Sequence, residues 1–510
     1  MSDPEAVVIG SGPNGLAAAC TLAQSGLKVL VLEANPRRPG GAVASAELTR
    51  PGFVHDVGAG FFPFGRSSPA FRALNLEAQG LSWHNARFES CHPALDGSVA
   101  CIARDVELAA RHFGSPEDGD RWRRLALWHA GIEERLLELL LRPFPNLAAV
   151  WQLGPAHLVR LLRLFLASGA GMSQRLFSSA AARRVLPSLG LHVDVGPDDT
   201  FGAALSYMLG LTASTGGYAV PRGGAQAITN AMVTALERDG GRLRLGADVR
   251  SIVVRGRRAS AVRLADGEEI AVDRAILADT GAPKLLLDLV GAEHLPGRVI
   301  RAMRRFPHSW GTFKVDWALS GPVPWTAEPA RDSAVVHVTE DLDDLSRFTR
   351  EVRAGQLPER PYLVVGQQSL VDPTRAPAGQ HTLYCYTHVP SQVDGGWLAA
   401  EQAFADAIEA RIEGLAPGFR ALVLERAVTS PLSLERMNPN LVGGDLGGGS
   451  NAWHQQLLFR PMFPYFRYRM PVAGLYLCSS YAHPGAGVHG MCGYNAAQVA
   501  LGDLGLKPRH

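Results

Sequence analysis

The chain has 510 residues, 46% of them apolar and 19% charged, with a formal net charge of +2. Domains usually hold roughly 100 to 200 residues, so two or three lobes with separate cores are expected. The scattered, balanced charge offers no clustered basic surface for a nucleic acid, and no apolar run reaches the roughly 20 residues of a spanning helix.

The first predicted element is the strand "AVVI", Ala6 to Ile9, entered directly after Asp3 and Glu5 with no basic leader segment, as in a cytoplasmic protein. It runs into Gly10-x-Gly12-x-x-Gly15, then a helix of small and apolar residues to about Ser25, then a second strand that ends at Glu33. This is the βαβ dinucleotide fingerprint with strand, helix and acid in place. Gly10 permits the tight turn, Gly12 lets backbone approach a pyrophosphate, and Gly15 lets helix and strand pack closely. The free N–H groups at the helix start face the phosphates, and Glu33 is suited to accept from the ribose hydroxyls.

After the second strand come Arg37, Arg38 and a Gly40-Gly41 turn, then Gly58 and Gly60 behind His55 and Asp56. A nicotinamide-binding unit would pass straight into its next βα repeat. Two further close backbone approaches instead suit a longer ligand such as FAD.

Residues 66–218 read as mostly helical from their apolar periodicity. Within them, 136–172 is strongly apolar and is cut into short pieces by Pro143, Pro145 and Pro155; Arg160 and Arg163 fall on one helix face. Two readings stand for this stretch: a greasy entrance or membrane-surface helix, or helices packed in the core of a substrate domain. The segment 219–294 opens with Pro221-Arg222-Gly223-Gly224, continues through a helix and alternating strands, and returns to a buried strand at Ala275 to Ala278. Residues 295–425 carry strand-like stretches such as "GTFKVDWAL" and "HTLYCYTHV". The last segment holds "LVGGDLGGGSNAWHQQLLFRPMFPYFRYRMPVAGLYLCSS" and then "YAHPGAGVHGMCGYNAA".

These blocks, with the N-terminal fingerprint, resemble the phytoene dehydrogenase-like branch of the carotenoid desaturase and flavin amine oxidase superfamily, over nearly the whole chain. The resemblance implies an α/β fold: a Rossmann-like FAD-binding domain built from 1–65, 219–294 and 426–510, and an inserted α+β substrate domain of mixed sheet and capping helices built from 66–218 and 295–425. It implies noncovalent FAD held by Gly10, Gly12, Pro13, Asn14, Gly15, Glu33, Ala34, Gly40, Gly41, Ala42, Gly58, Ala59, Val249, Tyr481, Gly487, Val488 and His489. Val249 would meet adenine through its backbone, and a helix starting near Gly487 would aim its N–H groups at the flavin pyrimidine oxygen. Tyr481 departs from the small residue that relatives tend to have there.

The implied activity is dehydrogenation of a carbon–carbon bond in an apolar, isoprenoid- or polyene-like substrate, with hydride passing to flavin N5. Oxygen, a quinone or another acceptor would reoxidise the flavin, and contact with a membrane surface is compatible with the substrate. An amine or amino-acid oxidase is the alternative, with Arg222, Arg460 or Tyr465 as its marker residues; a flavin-stabilised binding protein without turnover is another. His489 is the candidate proton acceptor, or a neutral histidine that closes the pocket, while His483 reads as a structural histidine bonded to loop backbone. Cys20, Cys91, Cys101, Cys385, Cys478 and Cys492 are too scattered for a disulfide framework or a C-x-x-C metal site, and neither H-E-x-x-H nor a nucleophile elbow occurs.

Overall fold

A computed structural model describes residues 3–506. Strand β1 (Ala6–Ile9), helix α1 (Pro13–Gln24) and strand β2 (Val29–Leu32) form the predicted βαβ unit. They sit in a five-stranded parallel sheet in the order Leu475–Leu477, Ala275–Ala278, β1, β2, Arg242–Arg244. β1 and Ala275–Ala278 are buried throughout, the pattern of a parallel strand covered on both faces. The sheet is thus assembled from three distant parts of the chain.

On one face of that sheet α1 packs against the last helix, Met491–Asp503. Small residues make the approach possible: Ala17, Ala18 and Ala19 are fully buried, and a Cβ on Gly493 would come within 1.7 Å of the Asn14 carbonyl oxygen. The strand Val249–Arg255 opens a separate three-stranded antiparallel meander.

The second lobe is built on a seven-stranded sheet in the order Val423–Thr429, Gly311–Leu319, His381–Val389, Leu363–Gly366, Ser333–Val338, Phe88–Pro93, Val99–Ile102. All neighbours are antiparallel except Ser333–Val338 with Phe88–Pro93. Helices from the first insertion, including Pro116–Ala130, Ala180–Gly190 and Gly202–Thr215, share its apolar core. The first insertion therefore also contributes two strands, Phe88–Pro93 and Val99–Ile102.

Three expected boundaries move. Phe71, Leu74, Leu76, Leu81 and Trp83 join the core of the cofactor lobe, so the first crossing lies past 66; Leu295, Val299 and Met303 do the same, so the second lies past 295. Residue 426 falls inside the edge strand Val423–Thr429, which is bonded to Gly311–Leu319, so the return to the cofactor lobe follows that strand. In each case short apolar segments join whichever core covers them.

The stretch 136–172 comprises the end of Glu133–Leu141, Leu147–Leu153, Pro155–Phe165 and the start of Gly169–Leu176. Over the two middle helices one face packs on the core of the larger sheet through Leu153, Leu158, Leu161, Leu164 and Phe165, and the other face is open. Leu161 is the one buried residue of Pro155–Phe165, whereas Trp151 is 88% exposed, Leu147 75% and Leu162 56%. Arg160 turns back to lie 3.9 Å from the centre of the Trp128 ring, a cation–π contact that leaves the leucine face outward.

Candidate active site

Between the lobes runs a cavity of about 1230 Å³. One end is walled by Gly10 to Asn14, Glu33 to Arg38 and Asp248 to Arg250, the middle by Asp279 to Gly281 and Asn438 to Asn440. The far end is walled by Gly58 to Phe61, Tyr481 and Gly487 to His489, and by Tyr384, Tyr386 and His388 of the larger sheet. Fifteen of the seventeen sequence-derived contacts line this space. Gly15 and Gly40 do not: a Cβ on Gly15 would lie 2.3 Å from the Gly10 carbonyl oxygen, and one on Gly40 2.4 Å from that of Val43. Both are required by backbone packing, which a glycine pattern alone cannot distinguish from ligand contact.

The start of α1 is organised by an acid that the sequence reading passed over. Asp279, the residue after the strand Ala275–Ala278, accepts the Gly15 N–H at 2.9 Å through Oδ2, and a Cβ on Gly12 would lie 2.5 Å from the same oxygen. Burial pushes its carboxyl up from 3.8 to about 7; the Gly15 and Gly12 N–H groups oppose the rise and Glu33 adds to it. Glu33 Oε2 accepts from Ser11 N at 2.9 Å and Ser11 Oγ at 2.6 Å, and Oε1 accepts from Asn35 N at 2.8 Å. It therefore shapes the glycine loop as well as facing the cavity.

The Gly-rich block 443–449 wraps another acid. Asp445 accepts N–H groups of Gly447, Gly448, Gly449 and Ser309 at 2.7 to 3.1 Å. Burial would raise its pKa, but His308 and these backbone donors hold it below the usual carboxylate range. Buried Arg460 clamps the same loop by donating to carbonyls of Gly447, Gly448, Ser450 and Ser480. Asn440 joins two walls: its Oδ1 accepts from Gly281 N at 3.0 Å, and its carbonyl accepts from Tyr481 Oη at 3.2 Å.

The C-terminal block differs from expectation in one respect. The last helix starts at Met491, with Gly490 as its cap, so Gly487 to His489 form the turn before it. His489 Nδ1 accepts the Met491 N–H at 3.0 Å, which places the proton of the neutral ring on Nε2, an atom with no hydrogen-bond partner among the described residues. Burial lowers the ring's pKa to about 4 and His483 adds to the effect, while the nearby Ala486 backbone opposes it. With Nδ1 engaged by the Met491 N–H, the neutral ring carries its proton on Nε2. His483 donates through Nε2 to the Arg142 carbonyl at 3.0 Å.

The glycine loop before α1, with no side chains between its backbone and the cavity, and the backbone of Gly58 to Gly60 and Gly487 to His489 on the same cavity fit an extended dinucleotide. Comparison with known proteins agrees. The profile of flavin containing amine oxidoreductases matches residues 14–501. The chain belongs to that family. FAD is accordingly its cofactor and oxidoreduction its activity class. It is 29% identical to mouse (Mus musculus) pyridine nucleotide-disulfide oxidoreductase domain-containing protein 2, over 98% of this chain and 94% of that protein. To hydroxyneurosporene desaturase of Cereibacter sphaeroides it is 27% identical over 99% of both. Among solved structures, an oxidoreductase from Methanosarcina mazei superposes with a TM-score of 0.64 at 16% identity, covering 98% of this chain and 99% of that one. Cyclohexylamine oxidase from Brevibacterium oxydans gives 0.62 at 17%, covering 99% and 100%.

Two predictions follow from this geometry. His55, the histidine of the early glycine loops, sits 2.8 Å from Thr49 Oγ1 and 3.4 Å from Asp316 Oδ1 and is not among the lining residues. Acid or heat precipitation is therefore expected to release intact FAD into the supernatant, and Gly12→Val to give colourless protein; yellow pellets or a yellow variant would contradict this.

Because the Asp279 carboxyl is raised in the fold, its contribution to stability is complete below about 3.8 and is lost as pH rises through about 7. Its ionised form also opposes a diphosphate at the same helix start. Titrating FAD into apoprotein between about pH 5 and about pH 8 is expected to show affinity and melting temperature falling with pH in the parent and nearly flat in Asp279→Asn. Parallel profiles in the two proteins would contradict it.

Proposed function

We propose that the enzyme dehydrogenates a carbon–carbon bond of an apolar, isoprenoid- or polyene-like molecule. The observation that carries this reading is the wall of the cavity beyond the cofactor segments, where Leu140, Leu141, Leu205, Met208, Leu209, Val335 and Val364 line one continuous space. Relatives named phytoene dehydrogenase from Streptomyces griseus and hydroxyneurosporene desaturase support it. Bound FAD supplies the hydride acceptor. The chain's share is to hold the cofactor between the lobes, exclude water and place the substrate.

In this proposal the neutral His489 Nε2–H donates toward the head of the cofactor and stabilises negative charge that develops there. An electron acceptor such as oxygen or a quinone completes turnover. Amino-acid oxidation is less well supported: Arg460 is committed to backbone carbonyls, and Arg222 and Tyr465 are not among the lining residues. Oxidation of a plain amine draws support from the Tyr384 and Tyr386 rings on the wall.

Anaerobic stopped-flow bleaching of the flavin with a polyene panel and an amine panel separates these readings. Reduction by polyenes alone is expected, and reduction by amines alone would replace the proposal. With the active substrate, His489→Ala is expected to slow bleaching at least about tenfold while keeping FAD, and His489→Gln, which retains a donor, to recover most of the rate. An alanine variant as fast as the parent would show that His489 only lines the cavity.

We also propose that the leucine- and tryptophan-rich outer face of 147–166 rests on a membrane surface, where such substrates dissolve. No helix among the described residues is long and apolar enough to cross a membrane, so the contact would be peripheral. Co-flotation with lipid vesicles is expected for the parent and is expected to be lost in Trp151→Asp/Leu162→Asp. Equal flotation of both, or of neither, would contradict this.

A further inference from the structure

The substrate end of the cavity is not uniformly apolar. Tyr384, Tyr386 and His388 alternate along His381–Val389 and so face the cavity together, with Thr312 directly opposite His388 on the neighbouring strand. Behind Tyr386 lies a buried chain of hydrogen bonds. Tyr386 Oη is 2.7 Å from His192 Nδ1, His192 Nε2 is 2.8 Å from His337 Nε2, and His337 Nδ1 is 2.9 Å from Ser90 Oγ. Ser90 Oγ is 2.8 Å from His92 Nε2, His92 Nδ1 is 3.2 Å from Ser188 Oγ, and Ser188 Oγ is 2.8 Å from the Val185 carbonyl oxygen.

The last partner fixes the direction of the whole chain. A carbonyl can only accept, so Ser188 donates to Val185 and accepts from His92 Nδ1–H. Each neutral imidazole then has one donor and one acceptor, and the pattern propagates outward: Ser90 donates to His92, His337 to Ser90, His192 to His337, and Tyr386 to His192. These tautomers are assigned from the network. Burial holds all three rings neutral, His192 at about 3 and His337 and His92 well below the ordinary value. With its proton committed to His192, the Tyr386 oxygen faces the cavity as an acceptor.

A donor stands beside it. Tyr218 is 1% exposed, lines the same cavity and lies nearly parallel to the His192 ring at 6.3 Å, yet its hydroxyl has no hydrogen-bond partner among the described residues. Thr312 Oγ1, also on this wall, has no partner among the described residues. A buried polar group left unmatched destabilises the fold, so a wall with such groups is shaped to receive a polar ligand atom.

We propose that the substrate is an apolar chain that carries a hydroxyl group, which accepts from Tyr218 Oη–H and donates to Tyr386 Oη. This rests on the apolar-chain reading above and adds its polar end. A hydroxyl uses both tyrosines, a carbonyl only Tyr218, and a hydrocarbon neither.

The test is equilibrium binding to the FAD-loaded protein, read as perturbation of the flavin absorption spectrum, with β-farnesene, farnesal, farnesol and farnesylamine as probes. Farnesol is expected to bind about tenfold or more tighter than β-farnesene, with farnesal between them. Tyr218→Phe is expected to remove most of the farnesol advantage and to leave β-farnesene affinity and ligand-free melting temperature unchanged or higher. Equal affinity for farnesol and β-farnesene, or a farnesol preference intact in Tyr218→Phe, would overturn the hydroxyl assignment while leaving the apolar-chain reading in place. A Tyr218→Phe protein that is markedly less stable without ligand would overturn it by showing that the hydroxyl serves the fold. Tightest binding by farnesylamine would overturn it in favour of an amine. Failure of all four probes to bind would remove the apolar-chain reading and this inference with it.

Discussion

The start of α1 is held among three other stretches of backbone at distances that leave no room for side chains. The Gly10 carbonyl presses on Gly15, the Asn14 carbonyl on Gly493, and Asp279 closes the turn by accepting the Gly15 N–H. With the Gly12 and Gly15 N–H groups turned to Asp279 and no N–H on Pro13, this contact fixes the course of the glycine loop along the cavity wall. The same contacts fix where the last helix lies, and the turn Gly487 to His489 leads directly into that helix. Both ends of the cofactor site thus depend on one close approach between the first and last helices of the chain.

The two lobes are joined by contacts that also form the cavity wall. Tyr384 Oη donates to the Gly58 carbonyl at 2.6 Å, tying the larger sheet to the early glycine loop. Buried Arg375 pairs with Asp56 and Asp372 across the same junction. Such bonds make the distance between the cofactor cradle and the sheet a property of the fold, so that whichever side chains alternate on His381–Val389 become the substrate wall.

Polar groups in this interior fall into two kinds. Asp445 and Arg460 are saturated by backbone partners and serve to hold Gly-rich loops that have no side chains of their own to pack. The histidine chain from Tyr386 to His92 is also internally satisfied, while Tyr218 and Thr312 stop short at the cavity. Saturation behind the wall and incompleteness on it separate the scaffold from the surface that meets a ligand.

The sequence by itself determined the βαβ unit, the Gly-rich turns and the return of the last segment to the cofactor lobe. These features depend on local requirements, namely positive φ, absence of a Cβ and continuous apolar strands, each written in a few adjacent residues. Most of the residues it singled out line the cofactor cavity. Tertiary structure alone decided which glycines face the cavity, since Gly15 and Gly12 differ only in what lies opposite them. It alone placed Asp279 against α1 across 264 residues of sequence, engaged His489 Nδ1 with the Met491 N–H, and aligned His92, His192 and His337 from separate segments. Hydrogen-bond partners of this kind are set by packing between distant segments, and no local pattern encodes them.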